Sequence, residues 1–298
     1  MEKVLSPKTL ETVKMMQEGE VTESAIYASI AKNCKDPNNK KILEQISADE
    51  MRHANLWKHY TGVEVKPNKR KIRHYAFLNR LFGFTFTIRL MENGENKAQK
   101  VYDSITGEIP EAQAVEHEEK LHEESVIAML DEERLQFVGA IVLGLNDALV
   151  ELTGALAGFT MAYGDQIKLI ALSGLITGLA AALSMAASAY LQASANDDKN
   201  AKKSSIYTGL TYLFTVALLI APYLVFGFLN VPNGKWFALG IMLTTVILII
   251  AGFNYYISVA KQYSFKKRFF SMLMISMGVA GLSFLLGLLV KTVFHISI

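Results

Sequence analysis

Two Glu-x-x-His motifs lie in the N-terminal half of the sequence, Glu50 with His53 and Glu119 with His122. Residues three apart share one face of an α-helix, so each pair can direct a carboxylate and an imidazole at the same metal ion. This donor set suits iron, and also manganese or zinc. A single motif of this kind arises easily by chance in a glutamate-rich segment, so the acids around the motifs decide the interpretation.

Each motif has a further acid at a matching level on the neighbouring predicted helix. The first predicted turn falls between residues 36 and 37. Glu20 lies as many residues before this turn as His53 lies after it. Glu95 and His122 are likewise equally far from the second predicted turn, between residues 108 and 109. Each predicted hairpin therefore brings one acid and one histidine to the same level within about one turn. A tyrosine follows each of these acids by seven residues, and one more acid precedes the second: Tyr27, Tyr102 and Glu92.

Apolar residues at helical spacing predict four helices in this region, at residues 8–33, 38–60, 73–106 and 110–134. Proline, glycine and asparagine residues between them predict turns. Four helices that supply a Glu from two members and a Glu-x-x-His motif from the other two are typical of ferritin-like di-iron bundles. The sequence therefore predicts an all-α fold that begins with a metal-binding four-helix bundle in residues 1–134.

The stretches 48–54 and 92–95, together with Glu20 and Tyr27, resemble the rubrerythrin branch of the ferritin-like superfamily over about residues 8–130. The resemblance implies a di-iron site with two tyrosines beside it. Full rubrerythrins also carry a Cys-x-x-Cys rubredoxin centre, which this chain lacks because Cys34 is its only cysteine. The implied ligands are Glu20, Glu50, His53, Glu92, Glu95, Glu119 and His122, with Tyr27 and Tyr102 beside them.

The other acids and histidines of this region are interpreted as solvated side chains. A separate feature is the stretch 68–90, in which basic residues are followed by aromatic ones. Burial in the bundle core is the ordinary interpretation of its aromatic residues, and contact with a membrane surface is the alternative. The side chains interpreted as solvated are Glu23, Glu116, Glu118, Glu123, Glu124, His59, His74 and His117.

Charge is distributed very unevenly along the chain. Residues 1–135 hold 43 of the 58 charged side chains, and the remaining 163 residues hold 15. This pattern excludes a single soluble domain and predicts a membrane domain over residues 135–298, because apolar stretches of about 20 residues can cross a bilayer. Basic residues gather into no single stripe, so no nucleic-acid partner is expected. The predicted spans are about 136–163, 169–196, 204–234, 236–260 and 269–290.

Basic residues alternate between the loops that connect the predicted spans. The loops at 197–203 and 261–268 hold three and four lysines or arginines, whereas those at 164–167 and 231–235 hold none and one. Positively charged loops stay on the cytoplasmic side of a membrane. The sequence therefore predicts a multi-pass protein of the cell membrane, with its N-terminal domain in the cytoplasm and its C-terminus outside.

The first predicted span contains two acids four residues apart, Asp147 and Glu151, which share one helical face. An acid at the bilayer centre costs about 2.5–3.5 kcal/mol, so such residues indicate a path for cations or protons. Residues 144–147 and 184–191 and the five-span count resemble the vacuolar iron transporter family. The resemblance implies a homodimer that exchanges ferrous iron for protons, with Asp147 and Met185 lining the path and Glu151 compensating for acids that the second span lacks.

The whole chain thus resembles a membrane-bound ferritin, and three functions follow as hypotheses. The leading one is proton-coupled export of Fe²⁺, with a cytosolic di-iron domain that captures iron and could oxidise it. The second is a membrane-anchored ferroxidase or peroxide reductase without transport. The third keeps transport but changes the metal to Mn²⁺ or Zn²⁺. The intramembrane acids favour transport, because a simple anchor needs none.

Overall fold

A computed structural model of the chain describes residues 5–34, 36–95, 99–128 and 137–293, apart from the side chains of residues 92–95, 99, 100, 103, 127 and 128. Every regular element in this part of the chain is an α-helix, which confirms the all-α class. The chain divides into two compact units, Met1–Glu132 and Glu133–Ile298.

The first unit begins with a helical hairpin of α1 (Pro7–Asn33) and α2 (Pro37–Thr61), close to the predicted bounds. Both helices start at side-chain caps followed by proline: Ser6 Oγ accepts the Thr9 N–H, and an Asp36 carboxylate oxygen accepts the Asn39 N–H. Gly62 ends α2 in the left-handed conformation, with φ of 65°. Capping residues therefore fix the length of the hairpin.

The predicted helix over residues 73–106 is wrong, because the structure divides this segment. It contains α3 (Lys69–Phe82), α4 (Phe84–Glu95) and α5 (Gln99–Ile105), and residues 96–98 lie outside the described part. The first break falls at Gly83, whose φ of 89° and ψ of 174° suit glycine alone. The start at Lys69 follows from Asn68, whose side-chain oxygen accepts the N–H groups of Arg70 and Lys71.

The last helix of this unit is α6 (Ala112–Ala128), and the predicted continuation to residue 134 lies outside the described residues. Two apolar clusters form the core of the unit. One contains Ile26, Ile30 and Leu43 of the α1–α2 hairpin with Ile88 of α4. The other contains Val13, Trp57, Tyr102, Ile105 and Ile109.

The second unit consists of five helices that are long and apolar enough to cross a membrane, which confirms the five predicted spans. Backbone packing around the first of them is close. A Cβ atom at Gly144 would collide with the carbonyl oxygen of Thr208, and one at Gly287 would collide with that of Gly158. The first span is therefore held between the third and the fifth. The five helices are α7 (Val138–Ala162), α8 (Ile167–Ala195), α9 (Ala201–Leu229), α10 (Gly234–Lys261) and α11 (Phe265–Val293).

Candidate metal centre and intramembrane acids

Small residues let α1 and α2 approach each other closely near the candidate ligands. The Ser24 hydroxyl donates to the carbonyl oxygen of Ser47 at 2.7 Å, and the Ser47 hydroxyl donates to that of Ser24 at 2.8 Å. Glu20 lies about one turn before this crossing on α1, and Glu50 lies about one turn after it on α2. The reciprocal hydrogen bonds therefore fix the level at which the two carboxylates meet.

Four of the predicted ligands form one cluster in the first unit. Glu20, Glu50, His53 and Glu119 each place one ligand atom within 4.8 Å of the others. The first three side chains are almost fully buried, and Glu119 is 19% exposed. Three carboxylates and an imidazole in so small a volume can hold a cation, and the donor set fits iron, manganese or zinc.

His122 extends this cluster, because Glu50 and Glu119 each turn one oxygen towards each histidine. Glu50 lies 3.9 Å from His53 Nδ1 through Oε2 and 3.3 Å from His122 Nδ1 through Oε1. Glu119 lies 2.9 Å from His53 Nδ1 through Oε1 and 3.9 Å from His122 Nδ1 through Oε2. Two carboxylates that each lie near two imidazoles could be shared between two metal ions.

Unsatisfied polar atoms test whether these residues fit a metal. Four buried ligand atoms of the cluster make no well-aligned hydrogen bond among the described residues, although two of them, His53 Nδ1 and Glu119 Oε1, lie 2.9 Å apart: Glu50 Oε2, His53 Nδ1, Glu119 Oε1 and His122 Nδ1. Leaving such an atom unpaired costs about 1–3 kcal/mol, so folded proteins avoid it. All four are ligand atoms of one cluster, and bound cations would satisfy them together. The residues therefore fit a metal centre.

The Nε2 atom of each histidine contacts a carboxylate on the opposite helix. His53 Nε2 on α2 donates to Glu118 Oε2 on α6 at 2.7 Å, and His122 Nε2 on α6 donates to Asp49 Oδ2 on α2 at 3.4 Å. Arg52 donates to both acids, at 2.6 Å to Glu118 and 3.0 Å to Asp49. A carboxylate behind a histidine ligand fixes its tautomer and ring orientation. The interpretation of Glu118 as simply solvated is therefore wrong.

Aromatic side chains support the remaining acid of the cluster. Trp57 Nε1 donates to Glu20 Oε1 at 3.1 Å, and the Tyr102 hydroxyl donates to the same oxygen at 3.3 Å. Tyr27, predicted beside the site, is buried in the apolar core around α1 and α2. Trp57 was not predicted, although its position four residues after His53 places it on the same face of α2.

Burial and mutual contact change the protonation of the cluster. Burial, reinforced by the contact with Glu50, raises the pKa of Glu20 from 4.5 to about 8. Burial alone would lower the pKa of His53, but Glu119, Glu20 and Glu50 together raise it to about 12. Burial likewise raises the pKa of Glu119. In the metal-free protein, Glu20 and His53 therefore hold protons at neutral pH.

Two of the predicted ligands lie outside the side chains that the structure describes. Glu92 and Glu95 belong to α4, but their side chains are not among those described. Glu23, interpreted as solvated, is partly buried and lies 3.9 Å from Lys71. Burial and the charge of Glu50 raise its pKa well above the ordinary value, so its interpretation as a solvated side chain is also wrong.

The acids of the first span lie in a different environment. Asp147 is half-buried in α7, and Glu151 is exposed on the surface of this single chain. The buried Tyr212 of α9 donates its hydroxyl to Glu151 Oε2 at 2.8 Å. Met185 of α8 packs against the apolar core of this unit. Tyr212 was not predicted, and a tyrosine inside an apolar span is the signal that could have found it.

Comparison with known proteins gives one match. Residues 138–205, which hold α7, α8 and the start of α9, match the model of the VIT family. No curated protein and no solved structure matches the chain. Together with the five apolar helices, the match supports a membrane domain of the vacuolar iron transporter type in a multi-pass membrane protein and suggests that it transports a metal.

Proposed function

We propose that this protein exports ferrous iron from the cytoplasm in exchange for protons, and that its N-terminal unit is a ferritin-like di-iron domain that captures the metal. The observation that carries the transport function is the position of Asp147 and Glu151, which lie inside a candidate span and inside the residues that match the VIT family. Acids in such a position bind either a metal cation or protons, and this competition couples the two fluxes.

In the N-terminal domain, residues 1–134, the residues Glu50, His53, Glu119 and His122 would hold a di-metal centre. Glu20 would be a further ligand, because its Oε2 atom lies 3.8 Å from His53 Nδ1. The resemblance to rubrerythrins assigns Glu92 and Glu95 to the remaining positions. Bound iron would supply reversible one-electron redox chemistry at this centre. The protein's own residues orient the ligands, and the ligands give up protons as metal binds.

The membrane domain, residues 135–298, works as a homodimer in this proposal. Glu151 is exposed on the single chain although it lies in a span, and a carboxylate facing lipid is unfavourable by about 2.5–3.5 kcal/mol. A second copy that covers this face removes the cost and leaves Asp147, Glu151 and Met185 along a shared path. Met185 contributes a soft thioether, and Tyr212 holds Glu151 in one orientation.

The direction of transport depends on the orientation that the basic loops predict. In a Cys34→Ser background, single cysteines at Asp198, between α8 and α9, and at Asn233, between α9 and α10, are expected to lie on opposite sides of the membrane. In intact cells, an impermeant thiol reagent is expected to label Asn233→Cys and to label Asp198→Cys only after permeabilisation. The reverse pattern would turn the exporter into an importer.

A second function, oxidation of the captured iron by oxygen or peroxide, is favoured by one observation. Trp57 and Tyr102 are oxidisable side chains that both donate to the candidate ligand Glu20. This function does not need transport, so it also describes the membrane-anchored ferroxidase or peroxide reductase considered above. Stopped-flow absorbance of the purified full chain during addition of Fe²⁺ and oxygen or peroxide measures it directly.

Flux in proteoliposomes tests the proposal. The purified chain is expected to carry Fe²⁺ across the membrane faster when a pH gradient is imposed, and Mn²⁺ and Zn²⁺ tested in parallel determine whether iron is preferred. Protein-free liposomes give the background. Flux at background for all three metals would contradict the transporter and favour the anchored enzyme.

A further inference from the structure

Helix α3 carries one exposed face that combines arginines with large apolar side chains. Its opposite face packs inward through the buried Leu78 and through Ile72 and Tyr75, which contact the core of α1, α2 and α4. The exposed face keeps two large apolar side chains in solvent, Phe77 at 60% and Leu81 at 54% exposure. Its members recur at helical spacing and are Arg70, Arg73, His74, Phe77, Arg80 and Leu81.

The positive charge of this face is not neutralised. Within the described residues, no acid forms an ion pair with Arg70, Arg73 or Arg80, and the Arg73 side chain donates only to the carbonyl oxygen of Lys69. Lys71, at the edge of the face, contrasts with them because it lies 3.9 Å from Glu23. Three arginines without ion pairs lie beside exposed Phe77 and Leu81. This surface is therefore complementary to a partner that is both anionic and apolar.

We propose that this face of α3 docks on the anionic lipid headgroups of the bilayer that the chain itself spans. Arginines bind headgroup phosphates while Phe77 and Leu81 enter the boundary between headgroups and acyl chains, which is how interfacial helices bind membranes. The same chain contains five candidate spans, so the N-terminal unit is covalently tethered to a bilayer. The predicted cytoplasmic orientation of the bundle adds that the nearest leaflet is the anionic one.

Charge argues against a second copy of the chain as the occupant. In a two-fold symmetric contact the same patch meets itself, so the arginines of one α3 would face those of the other. No acid lies among the six side chains of the face to relieve this repulsion. The lipid surface supplies the missing negative charge and the apolar layer at once.

Lipid-quenching of a single label tests this docking. The full chain with Cys34→Ser and His74→Cys carries an environment-sensitive fluorophore on the face and is placed in nanodiscs of phosphatidylcholine, with or without phosphatidylglycerol. A fraction of the lipids bears a nitroxide on the headgroup. The control has the label at Glu44→Cys, an exposed position on α2. We expect quenching at position 74 in anionic nanodiscs, and much less at position 44.

Charge and apolar variants then separate the two parts of the contact. Each arginine adds roughly five-fold to membrane partitioning, so Arg70→Glu with Arg73→Glu and Arg80→Glu should reduce the quenching to that in neutral nanodiscs. The matched lysine replacements should retain it, and Phe77→Ala with Leu81→Ala should weaken it in both lipids. Metal content verifies that each variant is folded, and flux is measured separately, so that this docking can fail while the transporter proposal stands.

Three outcomes would overturn the docking. Quenching at position 74 could be insensitive to anionic lipid and to charge reversal, or it could be no stronger than at position 44. Alternatively, spin labels at position 74 could show a short distance between two copies while the fluorophore is not quenched by lipid. That last result would assign the face to a contact between copies of the chain.

Discussion

The two groups of acids in this molecule differ in what surrounds them. In the bundle, carboxylates meet two histidines, and four of their buried ligand atoms make no well-aligned hydrogen bond within the described residues. In the first span, Glu151 accepts a hydrogen bond from Tyr212, and no histidine belongs to the described membrane helices. The first group is arranged to hold a cation, whereas the second offers few ligands.

This difference suggests a division of labour between binding and passage. A site that retains iron needs several strong ligands fixed by a second layer, and Glu118, Asp49 and Arg52 provide that layer. A site that passes iron must bind weakly enough to release it. Along the proposed path, two acids, a thioether and a hydroxyl would bind a metal more weakly than the cluster in the N-terminal unit would.

Removing Glu50 and Glu119, the proposed shared ligands, should have the largest effect on metal content. We expect Glu50→Ala with Glu119→Ala to lower the iron bound per chain from about two ions to none in the bundle, because both metal positions lose their shared ligands. Elemental analysis of the purified full chain measures this. Glu44→Ala with Glu116→Ala, which removes two acids outside the cluster, is the matched control. An undiminished iron content in the first variant would refute the assignment of the centre.

Loss of the second layer should weaken the centre without abolishing it. Glu118→Gln and Asp49→Asn remove the charged acceptors behind His53 and His122, and each should lower metal affinity by about 10–100-fold. Glu116→Gln is the control, since Glu116 pairs with Lys120 on its own helix at 2.7 Å. Competition with a metal chelator measures the affinities. Equal affinities in all three variants would show that these acids do not support the histidines.

Metal binding should release protons at neutral pH. The pKa values of about 8 for Glu20 and about 12 for His53 mean that both side chains are protonated before metal arrives. Their displacement should release about two protons per chain, since ligands bind metal in their deprotonated forms. Calorimetry in buffers of different ionisation enthalpy counts these protons. Binding without proton release would contradict the protonation of the metal-free cluster.

The same pKa shifts set the direction of a pH effect on stability. Glu20 ionises near 4.5 in the unfolded chain but keeps its proton to about 8 in the folded one. The folded state therefore binds more protons between these values, and the metal-free bundle should lose stability as pH rises through this window. Thermal unfolding of the metal-free protein at several pH values measures it. A midpoint that rises with pH across the window would contradict the raised pKa.

The smallest predicted effect concerns the hydroxyl beside Glu151. Tyr212→Phe removes the donor to its carboxylate and should slow flux by about five-fold, the equivalent of one hydrogen bond, while metal content stays unchanged. Tyr223→Phe on the same helix is the matched control, because that hydroxyl contacts Thr160 at 2.8 Å and no acid. Equal flux in the two variants would remove Tyr212 from the proposed path.

Sequence reasoning predicted the elements whose signals are local. The α1–α2 hairpin and the five spans follow from apolar periodicity, capping residues and uncharged length, and the structure confirms them. The break at Gly83 was missed because an isolated glycine inside a helical pattern is compatible with a continuous helix. Its unusual backbone conformation depends on how α3 and α4 pack, which spacing does not report.

The sequence predicted the ligands of the candidate site but not the acids that contact its histidines. Equal distances from the first turn predicted that Glu20 and His53 meet, and the two Glu-x-x-His motifs added Glu50 and Glu119. The structure holds these four residues in one cluster. Glu118 and Asp49 were missed as the second layer, because each contacts the histidine of the opposite helix and only the helix pairing determines this. An acid directly before each motif glutamate was the available signal.

Parallel measurement of transport and of metal binding is the decisive test of the exporter. Fe²⁺ flux into proteoliposomes and iron bound by the bundle are measured together for the wild type, Asp147→Ala and the control Asp165→Ala, whose acid lies in a loop beside Lys235. We expect Asp147→Ala to reduce flux to background while the bundle keeps its full iron content, and Asp165→Ala to change neither. Normal flux through Asp147→Ala would contradict the exporter and leave a membrane-anchored iron-binding enzyme in its place.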